Sequence, residues 1–273
     1  MKFISDADYS QLVGIMGERN RPSGGIKTVH EVIVQCSLNA NMRVLEIGSN
    51  TGFTSVQISR LSGAHVTGID INDQSIEKAY AYASEHHVDT TVNFINASAT
   101  ELPFDDASFD MVWASNVTSF ISNKEKAINE YLRVLKPNGY LVFVPIYYIN
   151  KPPEELIIRV GKAIGTDLKA YTKKSWLDMI NGAFSGNDFT LDLVYDRDYR
   201  YHDQELRLEE YIEAQTNKIK GVVPSDAFMT ISKRYSDHIR LFNENLKYAG
   251  YSTLIFQKND ILEDPELFIT YEA

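Results

Sequence analysis

Val44-Leu45-Glu46-Ile47-Gly48-Ser49-Asn50-Thr51-Gly52 is the stretch that decides how this chain folds. Residues 43–47 are rich in branched apolar side chains and read as a buried strand. Gly48 and Gly52 bracket the loop that follows, and Val56, Ile58 and Leu61 carry a helical pattern beyond it. A strand that breaks into such a loop before a helix leaves helix N-terminal amides pointing outward. The missing Cβ of glycine lets backbone approach a ligand there.

The same alternation continues outward. Residues 65–69 form a second strand closed by Asp70, and Asn72 or Asp73 caps a helix that carries Ile76, Ala79, Tyr80 and Ala83. Residues 92–95 and 110–114 read as the third and fourth strands. A helix over residues 123–135 and a turn at Pro137-Asn138-Gly139 then lead into a fifth strand at 140–144. Strands alternating with helices of this length imply right-handed crossovers and a parallel sheet, whose ligands bind at the carboxyl ends of the strands. Asp70 stands where an acidic residue accepts hydrogen bonds from ribose hydroxyls in nucleoside-binding units of this kind. With Glu46 before the loop, it points to an adenosine-containing cofactor. The G-x-G-x-x-G fingerprint is absent, because Ser49-Asn50 occupy the place of its second glycine, which argues against a nicotinamide dinucleotide.

Composition narrows the partners. The chain has 273 residues, 44% of them hydrophobic and 23% charged, as in ordinary folded domains. Its 27 basic and 37 acidic side chains give a net charge of −10, which opposes broad capture of nucleic acid or anionic lipid. Cys36 is the single cysteine, so no intrachain disulfide and no cysteine-based zinc cluster is expected, in keeping with a reducing, cytoplasmic setting. The polar, acidic start of the chain and an apolar run confined to residues 141–149, far short of the roughly 20 residues of a spanning helix, predict no membrane segment. No histidine spacing suggests a metal site: His86-His87 sit at a helix end, and His30, His65, His202 and His238 are scattered.

The residues around the glycine loop resemble the first motif of the class I S-adenosylmethionine-dependent methyltransferases. The resemblance continues, in the family's order, through Gly68-Ile69-Asp70, residues 101–110 and residues 133–140. It is closest in kind to the subgroup that methylates small molecules, and Arg21-Pro22-Ser23-Gly24-Gly25 is similar to a segment that often precedes the core there. It implies a Rossmann-like, doubly wound α/β fold with a seven-stranded sheet whose last strand is antiparallel. It also implies S-adenosyl-L-methionine as cofactor and transfer of a methyl group to an O, N or C atom of a small molecule.

Carried over position by position, Gly48, Ser49, Asn50, Thr51 and Gly52 would cradle the methionine end of the cofactor, with Glu46 positioning the loop. Asp70 would hold the ribose hydroxyls and Ile71 would pack on the adenine. Ser98 and Ala99 stand where the family usually has Asp-Ala to receive the adenine amino group. Asn116 and Val117 would face the sulfonium and begin the substrate pocket. Asn50 replaces a usual glycine and tolerates left-handed backbone, whereas Ser98 must substitute a hydroxyl, a carbonyl or a water for the usual carboxylate. The Asn/Asp-Pro-Pro-Tyr sequence of the family's nucleic-acid and glutamine methyltransferases is replaced here by Asn116-Val117-Thr118-Ser119-Phe120.

Beyond the fifth strand, Pro145-Ile146-Tyr147-Tyr148 heads for the ligand crevice, so Tyr9, Tyr147 and Tyr148 are expected to wall the substrate pocket, with Tyr147 and His202 as candidate bases. A helix through Trp176, Leu177 and Ile180, a sixth strand at 189–195 and an antiparallel seventh at 251–257 complete the core. Residues 199–248 are expected to be helical, with Phe228, Ile231, Tyr235, Ile239, Phe242 and Leu246 on one apolar face. The resulting division is an N-terminal helical segment closing over the cofactor (1–39), the cofactor-binding core (40–196), a helical cap inserted over the substrate (197–250) and the last strand or strands (251–273), among them a short strand or tail at 266–271. The chain would act as a monomer or homodimer. The lack of an evident catalytic dyad leaves open a non-catalytic cofactor-binding or scaffold protein of the same fold.

Overall fold

The computed structural model describes residues 12, 15–16, 21–184, 189–201 and 205–260. Its centre is β1 (Arg43–Ile47), which is paired in parallel with β2 (His65–Asp70) on one side and β4 (Phe109–Ser115) on the other. β3 (Val92–Asn96) lies outside β2, and β5 (Leu135–Val144) lies outside β4, both parallel. The chain therefore builds the sheet in one direction from β1 to β3 and then restarts on the other side of β1. That reversal opens a crevice at the carboxyl ends of β1 and β4.

β8 (Ala249–Asp260) runs antiparallel against β5, and β7 (Phe189–Arg200) runs antiparallel along its outer edge. A short strand, β6 (Ile146–Tyr148), also pairs with β8. Its register, Ile146 opposite Tyr251, continues that of β5, where Phe143 is opposite Leu254. β5 and β6 are thus one line interrupted at Pro145, which has no N–H to donate. This accounts for the difference between the seven strands expected and the eight observed.

β7 is longer than its sequence suggests. It reaches Arg200, so residues 197–200, assigned from sequence to the start of the cap, pair with Thr253 through Gly250 of β8. A register shift between Leu193 and Tyr195 inserts one extra residue on the way. The extra residue reverses which face the odd-numbered side chains take, so Leu191 packs in one core layer while Tyr195 and Tyr199 pack against the other. A polar run of Asp196, Arg197 and Asp198 suits an edge strand, where charged side chains remain in water.

Alternation along β1 sends Val44 and Leu45 into opposite layers. α1 (Ile26–Gln35), α2 (Phe53–Ser62) and α3 (Asp73–Glu85) cover the layer that contains Val44, Trp113 and Val142. α4 (Lys124–Val134) and α6 (Lys173–Phe184) cover the layer of Leu45, Val112 and Leu141, where Tyr131 and Trp176 are fully buried. α8 (Ser225–Leu246) packs on both α5 (Glu154–Ile164) and α7 (Glu205–Lys218). On α8, Ile231 and Tyr235 bury themselves with Leu12, Met16 and Ile219 in a separate cluster, while Phe242 and Leu246 of the same stripe line a cavity. No helix among the described residues is long and apolar enough to cross a membrane.

Residues 101–110 and 133–140, two of the motif-like segments, grip each other. The Arg133 guanidinium donates to the carbonyls of Leu102 and Phe104 and pairs with Glu130 and Asp106, while Glu130 accepts from the Leu102 amide at 2.7 Å. Replacing Arg133 by Leu strands two carbonyls and the Glu130 carboxylate, and is expected to lower unfolding stability by about 2 kcal/mol in urea titration. Asp106→Asn, at an exposed end of the same network, should change it by no more than about 0.5 kcal/mol.

Candidate cofactor and substrate site

Three positions of the loop after β1 take left-handed backbone: Gly48 (φ 71°), Asn50 (φ 46°) and Gly52 (φ 84°). A Cβ on Gly48 would lie 2.5 Å from Cγ2 of Val117, and one on Gly52 2.8 Å from Cζ of Phe94, so neither position has room for a side chain. Asn50 adopts its conformation while its side chain accepts from the Thr51 amide at 2.8 Å.

Two carboxylates hold this loop. Asp70 Oδ2 accepts from the Asn50 amide at 2.9 Å and Oδ1 from the Asn72 amide at 3.0 Å, and the Ser49 amide donates to the Ile69 carbonyl at 2.8 Å. The Ile71 amide also engages this carboxylate; a carboxylate offers about four acceptor positions, so part of the capacity of Asp70 remains for a ligand. Burial pushes its pKa up, against the opposing pull of those amides. From below, Glu46 accepts from the Ser55 amide at 2.9 Å and from its hydroxyl, anchoring the first turn of α2. Glu46 is 5% exposed, and burial pushes its carboxyl up to about 7 despite those hydrogen bonds, with the Asp70 charge adding to the rise.

Gly48, Asp70, Ile71, Ser98, Ala99 and Val117, all expected at the cofactor, line one cavity of about 400 Å³ at the ends of β1, β2 and β3. Ile71 leaves 76% of its surface uncovered at the rim, an unusual cost for an isoleucine. The hydroxyl of Ser98 is within 2.9 Å of that of Thr100. Glu46, Ser49 and Thr51 are buried behind the loop and shape it rather than line the cavity.

Asn116 lies instead on a second cavity, of about 430 Å³, and Phe120 walls both. Its side-chain amide exchanges hydrogen bonds with Ser23 Oγ at 3.2 and 3.3 Å, and Ser23 Oγ lies 2.6 Å from the Tyr201 hydroxyl. Burial pushes Tyr201 far above the ordinary tyrosine range. Tyr148 lines this cavity, with its hydroxyl donating to Asn245 Oδ1 at 2.8 Å.

Tyr147 does not line it. Alternation along β6 turns Ile146 and Tyr148 to the cavity and Tyr147 to the opposite face, where its hydroxyl meets Ser252 at 3.0 Å and Asp198 at 3.2 Å. Its assignment to the substrate pocket, and with it a direct role as base, is therefore corrected. Tyr9 and His202 lie outside the described residues.

Sequence reasoning missed the pairing of Ser23 with Asn116 and Tyr201, which are 93 and 178 positions away. The signal nearest to it was Arg21-Pro22-Ser23-Gly24-Gly25. There Gly24 (φ 79°) lets the chain pass beside Tyr251, whose hydroxyl would be 2.5 Å from a Cβ at that position.

Residues 45–143 match a family model described as a methyltransferase domain. The 27-O-demethylrifamycin SV methyltransferase of Amycolatopsis mediterranei is 33% identical over 132 residues, covering 46% of this chain and 48% of that protein. Sterol 24-C-methyltransferase erg6 of Aspergillus fumigatus is 31% identical over 150 residues, covering 54% of this chain and 40% of that protein. The match thus spans about half the length of these relatives or less. Among solved structures, the MccD protein superposes with a TM-score of 0.69 at 24% identity over 88% of this chain and all of that chain, a likeness of fold.

The raised Glu46 carboxyl has a consequence for stability. Between its ordinary value of 4.5, taken for the unfolded chain, and about 7 in the folded protein, the native state holds a proton that the unfolded state has released. Stability therefore falls as pH rises through that window, by on the order of 3 kcal/mol, and levels off above it. Glu46→Gln should abolish this fall. Urea midpoints of both proteins at pH 5 and pH 8 measure it, and parallel profiles would refute it.

Proposed function

We propose that the chain is a member of the class I S-adenosylmethionine-dependent methyltransferase family, that it binds S-adenosyl-L-methionine in the cavity beside the glycine loop, and that it moves the methyl group onto an O, N or C atom of a small molecule in the adjoining cavity. The observation that carries this reading is the junction of the two cavities. Asn116 borders one and Val117 the other, with Phe120 shared.

The cavity beside the loop fits the cofactor. Asp70 keeps acceptor capacity for ribose hydroxyls, exposed Ile71 offers an apolar cover for adenine, and the missing Cβ of Gly48 leaves backbone open to the methionine end. Ser98 replaces the family's carboxylate toward the adenine amino group. The Arg21 guanidinium sits 5.0 Å over the Phe53 ring, next to the loop, and lines the adjoining cavity. When bound, S-adenosyl-L-methionine supplies a methyl group already activated by its sulfonium, so the task of the protein is alignment and exclusion of water.

Alignment falls to the Asn116–Ser23–Tyr201 chain at the junction. Tyr201 stays protonated at neutral pH, so it orients an acceptor as a hydrogen-bond partner and does not abstract its proton. We assign exclusion of water to residues 1–39 and 197–250, whose Ser23, Tyr201, Phe242 and Leu246 wall the second cavity. The net charge of −10 and the absence of an Asn/Asp-Pro-Pro-Tyr sequence after β4 favour a small acceptor over a nucleic acid. The single, buried Cys36 suits work in a reducing cytoplasm.

Isothermal titration should detect S-adenosylhomocysteine binding. Asp70→Ala is expected to weaken it at least about tenfold, or 1.4 kcal/mol, and Gly48→Val to abolish it. Methyl-labelled cofactor incubated with a metabolite extract should pass label into a small product, whereas absence of cofactor binding by the unmodified protein would overturn the proposal. Tyr201→Phe should slow transfer on the order of tenfold while leaving cofactor affinity unchanged, the expected loss of one positioning hydrogen bond.

A further inference from the structure

The second cavity is apolar over most of its wall, through Phe120, Ile146, Val160, Leu168, Trp176 and Leu246. Its charged lining is one-sided. Acidic residues outnumber basic ones by 37 to 27 in the whole chain, yet Arg21 and Lys169 line this cavity and no Asp or Glu does among the described residues. Arg21 stands on the side of the glycine loop, over Phe53. Lys169 stands on the loop between α5 and α6, with a second lysine nearby. Lys124, at the start of α4, places its ammonium 5.7 Å from the centre of the Tyr171 ring, which itself lines the cavity, and donates to the Ile121 carbonyl at 2.7 Å.

Both lysines flank Tyr171: Lys124 lies over its ring, and the Lys169 carbonyl accepts from its amide at 2.9 Å. Burial lowers the pKa of Lys124 first and the charge of Lys169 lowers it further, and no carboxylate contributes. Some other lysines do pair with acids, Lys136 with Asp110, Lys173 with Asp196 and Asp198, Lys174 with Asp178 and Lys233 with Asp237. Two cations at an apolar cavity whose described lining holds no Asp or Glu leave a positive charge that an anion would offset.

We propose that the acceptor is an amphiphile with one anionic group, a carboxylate or a phosphate, held between Lys124 and Lys169, and with an apolar body lying in the cavity against Phe120, Leu168 and Trp176. This rests on the reading of the second cavity as the acceptor site. The anion supplies charge complementarity in a desolvated setting, and the apolar wall supplies most of the buried area.

The test uses the full chain and reads the two proposals separately. S-adenosylhomocysteine is titrated first. Octanoate, octyl phosphate and 1-octanol are then titrated in its saturating presence. The anionic probes are expected to bind at least tenfold more tightly than octanol, and the ratio of octanoate to octyl phosphate identifies which anion the lysines prefer. In the double variant K124Q/K169Q that advantage should vanish, with affinities for octanol and S-adenosylhomocysteine unchanged, the latter serving as the control for folding. Equal affinity for octanol and the anions, an advantage that survives the double substitution, or no probe binding while S-adenosylhomocysteine binds would each overturn the proposal. If S-adenosylhomocysteine fails to bind but the anions bind in a lysine-dependent way, the methyltransferase reading falls and the anion site stands.

Discussion

The carboxylate of Asp70 receives the backbone amides of Asn50 and Asn72, one from the loop after β1 and one from the turn after β2. Without a carboxylate there, two amides at the head of the crevice would have only water, and the left-handed run from Gly48 to Gly52 would lose its tie to the second strand. Glu46 completes the arrangement from inside the protein by engaging the first turn of α2 at Ser55. One acid faces the cavity and the other faces the core. The difference in environment gives them different work: Asp70 retains capacity for a ligand, whereas Glu46 spends its acceptors on the scaffold.

The rest of the site depends on that loop staying where it is. Val117 fills the space where a Gly48 side chain would stand, so the wall between the two cavities is set by the packing of backbone against a valine. Asn116, next to it, turns the other way with φ 59° and reaches Ser23. The N-terminal segment is brought to the same place by Glu31 of α1, whose carboxylate accepts from Tyr195, Tyr199 and Thr253 on β7 and β8. The register shift in β7 is what turns those tyrosines toward α1. An irregularity at the edge of the sheet thus helps to position a residue at its centre.

The strands and their ends were legible because they follow from local alternation and from the rule that parallel strands present their carboxyl ends on one side. Gly48, Asp70, Ile71, Ser98 and Ala99 each sit at or just past such an end, and they come together in one cavity for that reason. Tyr147 was misread because the tyrosines at 147 and 148 are adjacent, and adjacent residues in a strand face opposite ways. Position in the sequence identified the strand end but could not say which of the two pointed inward. The end of β7 was misread for a related reason: a single extra residue exchanges the two faces, and polar residues on an edge strand resemble the start of a surface helix.

The sequence by itself determined the parallel α/β core, the glycine-bracketed loop, the acidic residue at the end of the second strand and the apolar stripe of α8, all of which are encoded within a few residues or within one helical or strand period. Only the tertiary structure decided which of Tyr147 and Tyr148 enters the second cavity, that Ser23 joins Asn116 to Tyr201, and that Lys124 lies over Tyr171 at the wall that Lys169 also lines. Those outcomes depend on side chains separated by tens to hundreds of residues being brought within hydrogen-bonding or Coulombic range, and such distances are set by the packing of whole elements and leave no period in the sequence.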